Sequence, residues 1–171
     1  MQRIIIVGNS GSGKSTLARQ MSEILEIPAV HADILMFFEN QRWVARPRKE
    51  YRAKIFAAIA ADKWIFDGAA GTSTLPQRIE RCDTIIFFDF NRFFCLYRVI
   101  KRRIQIRKKP RPEVPKGCID CIDLKFLKWV LLGFPNRRQE VIEKIYASGK
   151  PIHHFKKRKQ VARFTNELKE I

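Results

Sequence analysis

Eight consecutive residues carry chemistry by type and spacing alone: Gly8-Asn9-Ser10-Gly11-Ser12-Gly13-Lys14-Ser15, followed by Thr16. They fit G-x-x-x-x-G-K-[ST], the pattern of a loop that cradles phosphates. Gly8, Gly11 and Gly13 allow backbone conformations and close approach that a Cβ would hinder. The freed amides and the positive end of a following helix then face the anion. We assign Gly8, Ser10, Gly11, Ser12, Gly13, Lys14, Ser15 and Thr16 to nucleotide binding. Lys14 would reach the β- and γ-phosphates, and the Ser15 hydroxyl would be a Mg²⁺ ligand. A glycine-rich turn that binds nothing is the competing reading, and the flanks argue against it. Arg3-Ile4-Ile5-Ile6-Val7 has the composition of a buried parallel strand, and Leu17, Met21, Ile24 and Leu25 recur at helical spacing.

Three acids fall where strands should end. Ile27 to His31 reads as a short second strand running into Ala32-Asp33. Lys63 to Asp67 reads as a third, followed by Gly68, and Thr84 to Phe88 as a fourth, closed by Asp89. Ligands of an open parallel sheet gather at the carboxyl ends of its strands. Asp33 there would hold a substrate, or Mg²⁺ through water; otherwise it caps the next turn. Asp67 has the same logic, against a plain Asp-Gly turn. Asp89 fits the second Mg²⁺-side carboxylate of P-loop proteins, or equally a cap for the helix behind it. His31 is read as a strand residue and given no role.

The helix after Asp89 carries Phe93, Leu96, Tyr97, Ile100 and Ile104 on one side. Arg92, Arg98, Lys101, Arg102, Arg103 and Arg107 occupy the rest. Arg98 and Arg102 are one turn apart on one face. Two guanidinium groups there would stabilise charge on a transferring phosphoryl group. Taken together, the six basic residues also suit a solvated face or a nucleic-acid surface. Lys108 to Gly117 holds Pro110, Pro112 and Pro115 without apolar periodicity, which rules out a helix or central strand. A lid over about 104–119 is expected.

The other elements must position these groups. Ile34 to Trp43 is aromatic and suits a wall over an acceptor pocket. Pro47 suits a first helical turn, with Tyr51, Ile55, Phe56 and Ile59 as the apolar face of a helix through Ala61. Ala69 to Thr74 is a small-residue loop, and Leu75 to Cys82 a short helix carrying Arg78. Phe126, Leu127, Val130 and Leu131 mark a helix that stops near Gly133. Val141, Ile142, Ile145 and Tyr146 mark another, ended by Ser148-Gly149-Lys150-Pro151. Ile152 to Phe155 is a last strand; a basic turn, Lys156 to Lys159, leads to a terminal helix with Val161, Phe164 and Leu168. His153 and His154 point to opposite faces of their strand and do not share a metal. Strands alternating with helices predict an α/β fold: a five-stranded parallel sheet with helices on both faces, three layers in all.

Residues 1–171 suit one domain. With 34 Lys+Arg against 17 Asp+Glu the net charge is +17, which implies an anionic partner: polyphosphate, nucleic acid or an acidic membrane surface. Cys118-x-x-Cys121 has the spacing of half a zinc site or of a redox dithiol, but Cys82 and Cys95 supply no second pair at ligand spacing, and the motif does not sit beside a βαβ start. Reduced thiols are expected. No run reaches the ~18 apolar residues of a membrane span, and no signal-peptide pattern opens the chain, so a cytoplasmic protein is expected.

These residues resemble the P-loop kinases of small molecules, the adenylate kinase-like group. Lys63 to Gly68 is similar to the strand ending in Asp-Gly that borders the monophosphate site of adenylate kinases. Arg98 and Arg102 look like the arginines entering that family's lid, and Lys108 to Gly117 like a short lid. A resemblance over nearly the whole chain is to the adenylate kinase-related bacterial topology modulation proteins. It rests on Ile4 to Ala18, His31-Ala32-Asp33, Trp64 to Gly68 with Thr74 and Arg78, Asp83 to Asp89 with Arg92, Leu96 to Arg103, and Phe126 to Trp129. Where adenylate kinases follow Asp-Gly with Phe-Pro-Arg, this chain has Ala69-Ala70-Gly71. Asp33 looks more like the strand-end acid of shikimate-type kinases, which phosphorylate a small hydroxyl compound.

The expectation is a Mg²⁺-ATP-dependent kinase of a nucleotide or small hydroxyl metabolite. Ser15 with Asp67 or Asp89 would serve Mg²⁺, and Lys14, Arg98 and Arg102 the phosphates. Asp33 would position or deprotonate the acceptor. The alternative from another class is a DNA-binding, topology-modulating regulator whose P-loop is a switch or slow ATPase. Its motivation is the +17 charge, although no DNA-reading motif is visible.

Overall fold

The apolar runs pair side by side. In the computed structural model, which describes residues 1–41, 43–68, 73–105, 113–118 and 123–170, five strands form one all-parallel sheet. They are β1 (Arg3–Gly8), β2 (Ala29–His31), β3 (Trp64–Asp67), β4 (Thr84–Phe88) and β5 (Ile152–Phe155), ordered β2-β3-β1-β4-β5. β1 is central because Ile4 to Val7 are fully buried on both faces, which a helix-covered parallel sheet requires. Alternation along β1 divides the core. Ile4 and Ile6 pack with Leu17, Ala18 and Met21 of α1 (Lys14–Leu25), Cys95 and Val99 of α5 (Arg92–Gln105), and Phe164 and Leu168 of α8 (Arg158–Lys169). Ile5 and Val7 pack with Tyr51, Ile55 and Ile59 of α3 (Arg48–Ile59), Ile79 of α4 (Leu75–Arg81), and Val141 and Ile145 of α7 (Arg138–Tyr146). The expected three layers follow.

Several boundaries differ from the sequence reading. β2 spans only Ala29–His31, and the chain turns at once into α2 (Ala32–Met36). Asp33 therefore sits in the first turn of a helix rather than at a strand tip. Pro47 stands one residue ahead of α3, and Phe56, next to buried Ile55, points outward. The helix expected around 126–133 begins as α6 (Leu124–Lys128) and widens into a π turn over Trp129–Gly133. Gly133 is needed there: a Cβ would lie 2.1 Å from the Trp129 ring. A 3₁₀ turn, Pro135–Arg137, then leads into α7.

Arg107 and residues 106–112 of the expected lid, loop residues 69–72, and Cys121 lie outside the described residues. The described residues 113–118 are tied down: the Asn40 amide donates to the Lys116 carbonyl at 2.7 Å, and Val114 and Cys118 are buried. Among the described residues, no helix is long and apolar enough to cross a membrane.

Candidate active site

The glycine loop leaves the tip of β1 and is wedged against α5. Gly11 has φ +81°, and a Cβ there would lie 2.4 Å from the Cys95 carbonyl oxygen. Only glycine allows both the conformation and the contact. Gly13, at φ +108°, precedes α1, whose first turn has neither a side-chain cap nor an acid. Its N–H groups are left for an anion. Arg98 of α5 donates to the Ser12 carbonyl at 2.7 Å. Asn9 is buried, giving Nδ2 to the Val130 carbonyl at 2.8 Å while Oδ1 accepts the Ser10 amide at 2.8 Å. The Ser12 hydroxyl is buried with no hydrogen-bond partner among the described residues. A buried polar atom so left is costly unless something fills the loop.

Lys14 is also buried and donates its Nζ to the Asn9 carbonyl at 2.8 Å. Burial pushes the ammonium below its ordinary 10.5; Asp67 and Asp33 oppose that push, while Arg102 adds to it. Those three charges therefore lie within reach of Lys14. Asp67 ends β3, and the parallel register sets it beside His31 of β2. His31 Nδ1 and Asp67 Oδ2 are 3.1 Å apart. Burial would raise the Asp67 carboxyl, but the His31 hydrogen bond, Lys14 and the nearby Ser15 hydroxyl hold it below 3.8. It is an ionised carboxylate, and its Oδ1 is buried with no hydrogen-bond partner among the described residues. An orphaned carboxylate oxygen beside Ser15, at the foot of a phosphate loop, fits Mg²⁺, which binds through one or two carboxylates plus substrate phosphates.

A second set of groups lies beside Asp67. Arg78 of α4 is 1% exposed, with its guanidinium 4.9 Å from the Phe66 ring centre. Burial draws it down to about 10, with Tyr51 and Asp67 opposing, so it stays cationic at neutral pH. Burial raises the Tyr51 hydroxyl above 10.0; Arg78 lowers it and Asp33 raises it further. Gly68 keeps this corner open beside them, since a Cβ would meet the Ala32 Cβ at 2.6 Å. In the aromatic stretch, Phe37 bridges to Ala45 and packs edge-on against Trp43 at 5.0 Å.

The sequence-predicted residues thus divide. Lys14, Ser15, Asp67, Asp33 and Arg102 come together, and Arg98 braces the loop. Asp89 does not join them. Arg138 Nε and Nη2 grip its two oxygens, each at 2.6 Å, and His154 Nε2 lies 3.0 Å from Oδ2. With both oxygens engaged by α7 and β5, Asp89 fastens those elements. His31, Arg78 and Tyr51 had no assigned role in the sequence reading. Parallel register and helix packing bring them to the site, and no spacing in the sequence encodes either.

No family model matches the sequence, and no curated protein matches it. Among solved structures, a shikimate kinase from Bacteroides thetaiotaomicron is similar over 99% of this chain and 96% of its own, at 15% identity and a TM-score of 0.59. A shikimate kinase from Acinetobacter baumannii in complex with shikimate matches over 98% and 90%, at 12% identity and a TM-score of 0.61. A deoxyadenosine kinase from M. mycoides with bound dATP matches over 98% and 99%, at 12% identity and a TM-score of 0.52. Likeness at this identity is one of fold, and the fold is that of P-loop kinases. It does not extend to the topology modulation proteins, whose resemblance rests on the sequence motifs alone.

Proposed function

We propose that this chain is a Mg²⁺-ATP-dependent phosphotransferase acting on a small, anionic hydroxyl compound or nucleotide. The observation that carries the reading is one connected set of buried charged groups at the phosphate loop. Lys14, Ser15 and ionised Asp67 stand at the phosphate loop, and the charge of Asp33 acts on both Lys14 and the buried Tyr51, with Arg78 beside Tyr51 and Asp67. The loop amides and Lys14 would bind the β- and γ-phosphates, with Lys14 leaving the Asn9 carbonyl to do so. Ser15 and Asp67 Oδ1 would hold Mg²⁺, which when bound offsets phosphate charge. Arg78 would bind an acidic group of the acceptor, and Tyr51 would help orient it. Asp33 would take the proton of the acceptor hydroxyl as its oxygen bonds to the γ-phosphorus and the bond to ADP breaks. Arg98 and Arg102 would offset charge on the phosphoryl group in flight, a kind of contribution worth on the order of 10³-fold in rate.

The neighbours with shikimate and with dATP support this reading by fold. The test is ADP release from Mg²⁺-ATP with three acceptor groups: nucleoside monophosphates, hydroxy acids and uncharged polyols. Lys14→Ala is the control. Turnover with anionic acceptors only, lost in the control, is expected. Slow ADP release indifferent to every acceptor would overturn the kinase reading in favour of the switch or slow ATPase, and duplex-DNA binding would then be measured against salt.

A further inference from the structure

Phe93, Tyr97, Ile100 and Ile104 of α5 are 61%, 58%, 41% and 69% exposed. Their spacing of four, three and four residues puts them on one stripe, within about 60° of the helix circumference at 100° per residue. Cys95 and Val99, on the other side of the helix, are buried in the core. The helix therefore has two apolar faces: one packs against the phosphate loop and sheet, and the other is open to water. Four large apolar tips in a row are uncommon on a water-exposed helix and mark an interaction surface.

The rim of this stripe is basic. Arg92 lies 5.2 Å from the Phe93 ring centre, and Lys101 Nζ lies 5.9 Å from that of Tyr97. The charged ends of these side chains lie over the aromatic rings, directly beside the stripe. The fourteen residues of α5 include no acid, and the whole chain carries +17. A second copy of this chain is a poor occupant, because a two-fold contact would set the same cationic rim against itself. Nucleic acid also fits badly. Ile100 and Ile104, half of the stripe, offer phosphate no donor and have no planar face for stacking bases. An apolar line with aromatics, bordered by cations, suits a surface that is anionic outside and apolar a few ångströms below.

We propose that α5 docks this protein peripherally on an anionic lipid bilayer, with Phe93, Tyr97, Ile100 and Ile104 entering the headgroup region and Arg92 and Lys101 meeting lipid phosphates. The surface is independent of the phosphotransfer reading and uses none of its residues.

The experiment is co-sedimentation of the full chain with vesicles of phosphatidylcholine plus phosphatidylglycerol, beside vesicles of phosphatidylcholine alone. An Ile100→Ser/Ile104→Ser double variant and Lys101→Glu are run at the same salt. Binding to the anionic vesicles only is expected, weakened about tenfold or more by the double variant and several-fold by Lys101→Glu. Both variants should keep the parent's thermal midpoint, because these side chains are exposed. Equal binding of parent and double variant would overturn the proposal, leaving net charge alone as the attraction. So would equal binding to neutral vesicles. Stripe-dependent dimerisation in sedimentation velocity, or stripe-dependent retention of duplex DNA, would reassign the surface to a second copy or to nucleic acid.

Discussion

At the scale of single residues, the site depends on how burial sets charge. Asp67 is buried yet held ionised, because His31, Lys14 and Ser15 outweigh desolvation. Asp67→Asn keeps the shape and removes the charge. We expect turnover to fall on the order of 10²–10³-fold, with a higher Mg²⁺ requirement, read by titrating Mg²⁺ in the ADP assay. An unchanged Mg²⁺ dependence would exclude Asp67 from the metal side. Asp89 offers a stability test. Burial would raise its carboxyl, but the grip of Arg138 and the His154 contact hold it below 3.8. A depressed carboxylate pKa means that the unfolded chain binds the proton first as pH falls. The stabilisation is thus complete above about 3.8 and is lost as pH drops through the lower folded value. Asp89→Asn should be less stable than the parent at pH 7 in urea unfolding, and the gap should narrow below pH 3.8. A gap independent of pH would show that the ion pair contributes nothing. Lys14 and Ser15 were legible from their motif. His31 was not, since a histidine after Val30 is an ordinary strand residue until β3 lies beside it.

At the scale of elements, α5 has a structural task besides its basic face: it is the wall against which the glycine loop is folded. Gly11 touches the Cys95 carbonyl, and Arg98 ties the helix to Ser12. Gly11→Ala would combine a positive φ with a clash against backbone, which cannot swing aside. We expect a loss of at least about 2 kcal/mol in unfolding free energy and loss of ATP binding; ordinary stability by urea titration would show that loop and helix are not in this contact. Element types were readable where period was strong. β1, β4 and α8 came from runs of Ile and Phe or from helical spacing. The shift to α2 after His31 and the π turn at Trp129 were not readable, because each depends on a side chain or backbone group packing from elsewhere.

At the scale of the molecule, ATP should act as a folding ligand, since buried Ser12 Oγ and Asp67 Oδ1 have no hydrogen-bond partner among the described residues. Mg²⁺-ATP at about a hundred times its dissociation constant should add ~2.7 kcal/mol, a rise of roughly 5–10 °C in the thermal midpoint. Lys14→Ala should abolish that rise; an equal rise in both proteins would place ATP elsewhere. What the sequence determined by itself was whatever is local: the phosphate loop from its glycine spacing and the parallel α/β architecture from alternating apolar periods. Tertiary structure decided where each acid sits. Three strand-following carboxylates looked alike in sequence, yet register set Asp67 against His31 and Lys14, α7 and β5 captured Asp89, and Asp33 was carried into the first turn of α2. The physical reason is that a carboxylate's role is fixed by the charges and donors within a few ångströms of it, and those come from residues dozens of positions away.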